Sequence, residues 1–184
     1  MNIQIQETPN PSTLKFIPGT EVVKKGTYHF DKVDNDYEHS PLAKQLFKIE
    51  GIRSVFFSKN FISVTKEENA EWNKIKPYIL SELVDHFIAD LPIIKEKKIA
   101  SKKGCKKKNH KIEEQIIELI NTRIRPAVAG DGGDIIYDRF ENGIVYLKLH
   151  GACQGCPSAS MTLKYGIENM LKQHIPEVKS VESV

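Results

Sequence analysis

Hydrophobic and polar residues alternate along several short stretches in the first half of the chain. A period of two predicts half-buried β-strands, and β-rich runs of this kind occupy residues 3–6, 13–17, 52–57 and 61–65. The last two runs are separated only by Ser58-Lys59-Asn60, a short polar gap that predicts a β-hairpin. Sheet structure is therefore expected to dominate this half.

Two helices are predicted between and after these strands. Ser40 and Pro41 suit the N-cap and the first position of a short helix, and Gly51 is placed to end it. A longer amphipathic helix is predicted over residues 75–87, with one apolar face to pack on the sheet. Residues 1–94 are accordingly expected to form a small α+β domain.

The second half of the chain begins with another amphipathic pattern. Apolar residues from Ile112 onward follow helical spacing, and Arg125-Pro126 is predicted to end that helix. The glycine-rich stretch 130–134 lacks the spacing of a phosphate-binding loop, so a tight turn is the preferred interpretation.

A hairpin, a helix and a short strand are predicted for the rest of the chain. Residues 135–140 and 144–149 are β-prone runs around Glu141-Asn142-Gly143, a hairpin signal. Helical spacing then runs from Pro157 to Pro176, and His174 on its apolar face is expected to cap or fill the helix end. The last residues, Glu177 to Val184, predict a short edge strand.

The chain's net charge of +3 is concentrated in one segment. Residues 95–111 contain nine lysines and one glutamate, whereas residues 1–94 and 112–184 are mildly acidic. Such a segment buries too little apolar surface to fold, so it predicts a flexible linker between two domains. A nucleic-acid patch is the alternative, but no aromatic residue is interleaved to stack on bases. Cys105 in this linker is interpreted as incidental.

Composition limits where the protein works. The first residues have neither a basic head nor an apolar core, so no export signal is expected. No apolar run approaches the roughly eighteen residues that a membrane span needs. Three cysteines cannot build a disulfide framework, and a reducing compartment is expected.

The candidate chemistry is in Cys153-Gln154-Gly155-Cys156-Pro157, between a predicted strand and a predicted helix. Two thiols at a helix start can bind one metal or form one disulfide, because the positive end of the helix dipole favours thiolate. Zinc and iron–sulfur sites generally take four ligands, and this loop supplies two. His150 is predicted to point away from the strand face of Leu149.

Two chains related by a twofold axis would supply four thiolates, which favours a cluster shared between subunits. A thiol–disulfide redox protein is the main alternative, since a CxxC between strand and helix is also the thioredoxin arrangement. Structural zinc at a dimer seam would use the same four thiolates and is the third interpretation.

The sequence around these thiols resembles the C-terminal domain of NifU-like (Nfu-type) iron–sulfur scaffold proteins. The motifs that carry the resemblance are Gly151 to Ser158, Thr162-Leu163-Lys164, Gly166-Ile167-Glu168, Pro176-Glu177-Val178, Arg125-Pro126 and Asp131-Gly132-Gly133-Asp134. The first half resembles the family's N-terminal domain through Thr8 to Pro11, Thr13 to Phe16, Ser40 to Ala43 and Phe61 to Thr65. Ala159 departs from the family, which often has serine there.

The resemblance implies two small domains of α+β and α/β character, the second a small mixed sheet with helices. It implies that Cys153 and Cys156 of two chains hold one [4Fe–4S] cluster in a homodimer. The protein would be a carrier and not an enzyme, receiving the cluster from upstream assembly proteins and delivering it to apo-proteins. Partners in nucleic acid or membrane are not expected. The compartment is the bacterial cytoplasm, or the mitochondrial matrix for a processed organellar protein.

Overall fold

A computed structural model describes residues 2–95, 110–154 and 157–184. The chain divides into two compact units, Met1–Lys98 and Ile99–Val184, and each has its own hydrophobic core. The two-part mixed fold expected from the sequence is confirmed. The predicted linker lies largely outside the described residues.

The first unit is a five-stranded antiparallel sheet with two helices. Its strands have the order β1-β2-β5-β4-β3 across the sheet. The elements along the chain are β1 (Gln4–Glu7), β2 (Thr13–Ile17), β3 (Tyr28–Asp31), α1 (Pro41–Leu46), β4 (Ile52–Phe57), β5 (Ile62–Lys66) and α2 (Trp72–Ile88). Large apolar side chains from both helices and the sheet meet in one core, because alternate strand positions and one stripe of each helix face inward.

The short helix α1 begins as the sequence predicts but ends earlier. The hydroxyl of Ser40 accepts a hydrogen bond from the backbone N–H of Ala43 (3.2 Å) and donates one to the carbonyl of Ile93 (2.7 Å). The prediction that Gly51 ends the helix is wrong, because Phe47 is already its C-cap. Gly51, with φ of 89°, instead forms the turn that leads into β4.

The second unit is a three-stranded mixed sheet packed against helices. Its elements are α3 (His110–Leu119), a π-helical segment (Ile120–Ile124), α4 (Arg125–Gly130), β6 (Gly133–Glu141), β7 (Ile144–Gly151), α5 (Pro157–His174) and β8 (Ser180–Ser183). β6 and β7 pair antiparallel, and β8 adds to β7 in parallel, so β8 is an edge strand as predicted. Asn142 and Gly143 both have positive φ in the hairpin turn.

The prediction that Arg125-Pro126 ends the first helix of this unit is wrong. Helical backbone continues through Pro126 to Gly130. A π-helical segment lets the helical backbone continue although a proline follows. In it the N–H of Arg125 bonds to the carbonyl of Ile120, five residues back. Pro126 then occupies an early position of α4, where a missing N–H is tolerated.

Candidate functional site

Cys153 lies just beyond the end of β7, in the turn that leads toward α5. Its side chain is only 4% exposed and belongs to the core of the second unit. Gly151 precedes it with φ of 63°, and the N–H of Gln154 donates to the carbonyl of Gly151 (3.1 Å). α5 starts at Pro157, so the proline is the first helical residue as predicted. Cys156 and Cys105 lie outside the described residues.

A pair of glycines from the other side of the β6–β7 hairpin lies against Cys153. Gly133 is the Cα partner of Gly151, and the N–H of Ala152 donates to the carbonyl of Gly132 (3.1 Å). A Cβ atom at Gly133 would overlap the Cys153 Sγ and lie 3.0 Å from the Cys153 backbone nitrogen. The thiol therefore occupies space that only glycine at position 133 leaves open.

The glycine stretch was expected to be only a tight turn, and that interpretation is correct for Gly132 alone, which has φ of 82°. The role of Gly133 comes from close packing and not from φ. The available signal was the second consecutive glycine, since one residue with positive φ suffices for the turn.

An ion pair between a half-buried arginine and a buried aspartate joins the same segment to the helix before it. Arg125 donates from Nε and Nη2 to the two carboxylate oxygens of Asp134, both at 2.7 Å. Asp134 is 6% exposed and also accepts from the N–H of Ile135 (2.9 Å). The hydrogen bonds to Asp134 raise the pKa of Arg125 and keep the guanidinium charged. This bidentate contact holds α4 and the start of β6 in one arrangement.

His150 is across the hairpin from Asp134 in the strand register. Burial lowers the pKa of His150, the negative charge of Asp134 opposes that shift, and the positive charge of Lys148 adds to it. Leu149, its neighbour in β7, packs against the core. At the far end of α5, His174 Nδ1 lies 3.0 Å from the carbonyl oxygen of Met170, consistent with the predicted helix-end position.

The described residues bring one thiol, not a full ligand set, to this site. Among them, no group of three or more His, Cys, Asp or Glu side chains is placed to hold a metal ion. No helix in the described part of the chain is long and apolar enough to cross a membrane. A buried cysteine between a strand end and the start of an eighteen-residue helix can act as a metal ligand or as half of a redox pair.

Comparison with known proteins covers both units. Residues 3–90 match the model of the Nfu/NifU scaffold protein N-terminal domain, and residues 116–182 match the NifU-like domain. The human protein named "NFU1 iron-sulfur cluster scaffold homolog, mitochondrial" is 50% identical over 185 residues, covering 100% of this chain and 72% of the human one. A protein of the same name from Drosophila ananassae is 48% identical, and the chain spans 64% of its length.

One solved structure of a NifU-like protein, from Saccharomyces cerevisiae, is 25% identical to the chain. The similarity covers 53% of this chain and 87% of the yeast one, with a TM-score of 0.48.

Proposed function

The chain belongs to the Nfu/NifU scaffold family, as its sequence motifs predicted, and on that premise we propose that it carries an iron–sulfur cluster and passes it to apo-proteins. The relatives are named as iron–sulfur cluster scaffolds, which supports the cargo class. The cargo is a [4Fe–4S] cluster held by Cys153 and Cys156.

The position of Cys153 is the observation that carries this proposal. Its buried thiol lies just after a strand end and against a glycine pair, four positions before the first residue of α5. Each subunit would supply two thiolates, so a homodimer completes the four-cysteine set that such clusters take. The cluster itself would supply the bonds across the subunit seam, so the apo form is expected to be monomeric.

The chemistry of transfer is ligand exchange. Thiolates of a recipient protein replace those of Cys153 and Cys156 at iron, and no covalent bond of a substrate is made or broken, so the protein acts as a carrier and not as an enzyme. Upstream assembly proteins supply the cluster. The human and fly relatives carry "mitochondrial" in their names, and we therefore favour the mitochondrial matrix over the bacterial cytoplasm as its compartment.

We also propose that the working parts follow the boundaries read from the sequence. Residues 1–94 would form a partner-binding domain and residues 112–184 the cluster-binding domain. Residues 95–111 would link them. The division of the chain into two compact units supports this arrangement.

The test is anaerobic reconstitution with iron and sulfide, followed by iron and sulfide counts and native mass. We expect about two irons and two sulfides per chain on a dimer, which is one shared four-iron cluster. Cys153→Ala and Cys156→Ala should each abolish cluster binding. Cys105→Ala is the matched control, because it removes the third thiol and should leave loading unchanged.

Three results would contradict the proposal. A colourless dimer that binds zinc at the same cysteines would indicate a structural metal at the seam. A protein that binds no iron but forms a reversible Cys153–Cys156 disulfide, with activity in insulin reduction, would instead be a thiol–disulfide redox protein. Full loading of either single-cysteine variant would exclude the four-thiolate site.

A further inference from the structure

The first unit contains a groove of about 600 Å³ that is far in the sequence from the cysteines. Its walls are the turn between α1 and β4, the loop between β5 and α2, and one face of α2. We call it the α2 groove. Its volume lies in the range of pockets that hold a small ligand or a few residues of a peptide.

The two loops that form one side of the groove are held together by close backbone packing. The N–H of Glu67 donates to the carbonyl of Gly51 (2.8 Å). A Cβ atom at Gly51 would lie 2.6 Å from the Cβ of Ala70, too close for any residue but glycine without movement. The groove is therefore a built feature of the fold and not a gap between mobile loops.

The helical wall presents an exposed aromatic side chain between charges. Lys74, Tyr78 and Glu82 line the groove at intervals of four, so they share one face of α2. Tyr78 is 66% exposed, although its neighbour Ile75 is buried in the groove floor. Exposed tyrosines of this kind contribute strongly to protein interfaces, because the ring adds contact area and the hydroxyl a hydrogen bond.

The rim of the α2 groove is predominantly acidic. Four carboxylates and two lysines line it: Glu50, Glu67, Glu71, Glu82, Lys48 and Lys74. Lys74 and Glu71 already pair with each other, since Lys74 Nζ lies 3.0 Å from Glu71 Oε1, which leaves Glu50, Glu67 and Glu82 against Lys48. In the described part of the chain, no lysine or arginine pairs with Glu50 or Glu67. The rim therefore favours a cationic ligand.

We propose that the α2 groove binds an extended peptide segment of a partner protein in which a lysine or arginine flanks an apolar side chain. The apolar side chain would contact Tyr78 and the aliphatic floor formed by Ile49 and Ile75. The cationic side chain would meet the acidic rim, and it can also stack on the Tyr78 ring. A nucleic acid is disfavoured because carboxylates repel phosphate.

This inference goes beyond cluster binding and does not depend on it. The groove uses no cysteine, and the cysteine pair uses no groove residue. A failure of one proposal therefore leaves the other standing.

The experiment is fluorescence anisotropy of the full chain with a short labelled peptide that alternates lysine and leucine. A glutamate–leucine peptide and a lysine–serine peptide of equal length separate the charge from the apolar contribution. We expect only the lysine–leucine peptide to bind below about 100 µM. Tyr78→Ala should weaken binding at least about fivefold, as loss of a central aromatic contact does. Glu82→Lys should weaken it similarly and reduce its dependence on salt.

Control variants make comparable changes elsewhere in the first unit. Ile88→Ala truncates another exposed apolar residue of α2, and Asp34→Lys makes the same kind of charge reversal away from the groove. Both should bind within about twofold of wild type. Three outcomes would each overturn the proposal. The glutamate–leucine peptide could bind as tightly as the lysine–leucine peptide, or both groove variants could bind like wild type while keeping its circular dichroism spectrum. The third outcome is a wild-type chain that self-associates through the groove and loses that self-association in Tyr78→Ala.

Discussion

At the scale of single residues, each unit contains a close contact that depends on a glycine with no side chain. Gly133 has no side chain where Cys153 Sγ lies, and Gly51 has none where Ala70 lies. The packing at Cys153 is the more sensitive of the two, because under the proposed function this thiol must be enclosed and still bind the cluster.

Gly133→Ala should therefore reduce cluster loading. Its Cβ overlaps the sulfur and also contacts backbone on two sides, so the turn that holds Cys153 must shift. We expect iron bound per chain to fall by about half or more, and the midpoint of thermal unfolding to drop in line with an overpacking cost of about 1–3 kcal/mol. Iron analysis after anaerobic reconstitution and circular dichroism measure the two effects.

Gly166→Ala is the matched control for that variant. Gly166 lies within α5, and a Cβ there has nothing within 4 Å. Alanine in a helix interior is more favourable than glycine by about 0.5–1 kcal/mol, so this variant should load fully and unfold at a slightly higher temperature. Wild-type loading and stability in Gly133→Ala would mean that the close packing around the thiol is unimportant.

Much of this site could not be predicted from local sequence patterns. The two thiols are separated by only two residues, so their spacing alone predicts the candidate site. The Arg125–Asp134 ion pair joins residues nine apart across a helix end and a turn, and neither hydrophobic periodicity nor spacing reports such a contact. The apolar pattern predicts Arg125 at a helix end and the family resemblance includes it as a motif residue, but neither predicts that it anchors the segment next to Cys153.

At the scale of elements, strands and helices with a clear apolar period were predicted and β3 was not. The runs that became β2, β4, β5 and the β6–β7 hairpin alternate regularly or end at recognisable turns. β3 (Tyr28–Asp31) has only four residues, and it forms as an edge strand because β4 offers it hydrogen-bonding partners. The continuation past Pro126 likewise depends on a π-helical segment that no sequence period encodes.

One carboxylate of α5 adds a hydrogen bond to the edge strand β8, which also pairs in parallel with β7. Glu168 Oε2 accepts from the N–H of Val181 (3.1 Å), and Oε1 accepts from Lys172 Nζ (2.6 Å). Glu168→Gln should weaken this attachment by about 1 kcal/mol, because a hydrogen bond to a charged group is replaced by one to a neutral amide. Hydrogen exchange of the Val181 region, measured by mass spectrometry, should speed up about fivefold at pH 7.

The same contact predicts how the effect changes with pH. The hydrogen bond from Lys172, followed by that from Val181, lowers the pKa of Glu168. A lowered folded-state pKa stabilises the protein above the ordinary glutamate value of about 4.3, and the stabilisation is lost as pH falls through the folded pKa. The difference between wild type and Glu168→Gln, corrected for intrinsic exchange, should therefore shrink below about pH 4.

Glu182→Gln supplies the control for β8. Glu182 is in the strand itself but is about half exposed, and its ion pair with Lys164 lies at the surface. Exposed ion pairs contribute little to stability, so the Val181 region of this variant should exchange hydrogen as fast as in wild type, at pH 7 and below about pH 4. Equal acceleration in the two variants would show that general loss of charge, and not the Glu168 contact, loosens the strand.

At the scale of the whole molecule, the two units differ in what they offer. The first has the α2 groove and no cysteine, and the second has the thiol site on a smaller sheet. Under the two proposals, a partner would be held at the α2 groove while its cysteines receive the cluster from the second unit. Tethering raises the effective concentration of the second contact without adding a new interface.

Limited proteolysis tests the linker that this division requires. Trypsin should cut first within residues 95–111 and release two resistant fragments, while lysines in the units, such as the buried Lys15 over the Phe61 ring, remain uncut. Trypsin has nine lysines to cut in this segment, so it would cleave there often even if the segment were no more exposed than the rest of the chain. A glutamate-specific protease therefore tests accessibility more directly. The segment has one glutamate, Glu96, against many acidic residues elsewhere, so early cleavage there would reflect accessibility alone. First cuts within β1–α2 or β6–β8, identified by fragment mass, would instead mean that the chain does not work as two folded domains on a flexible linker.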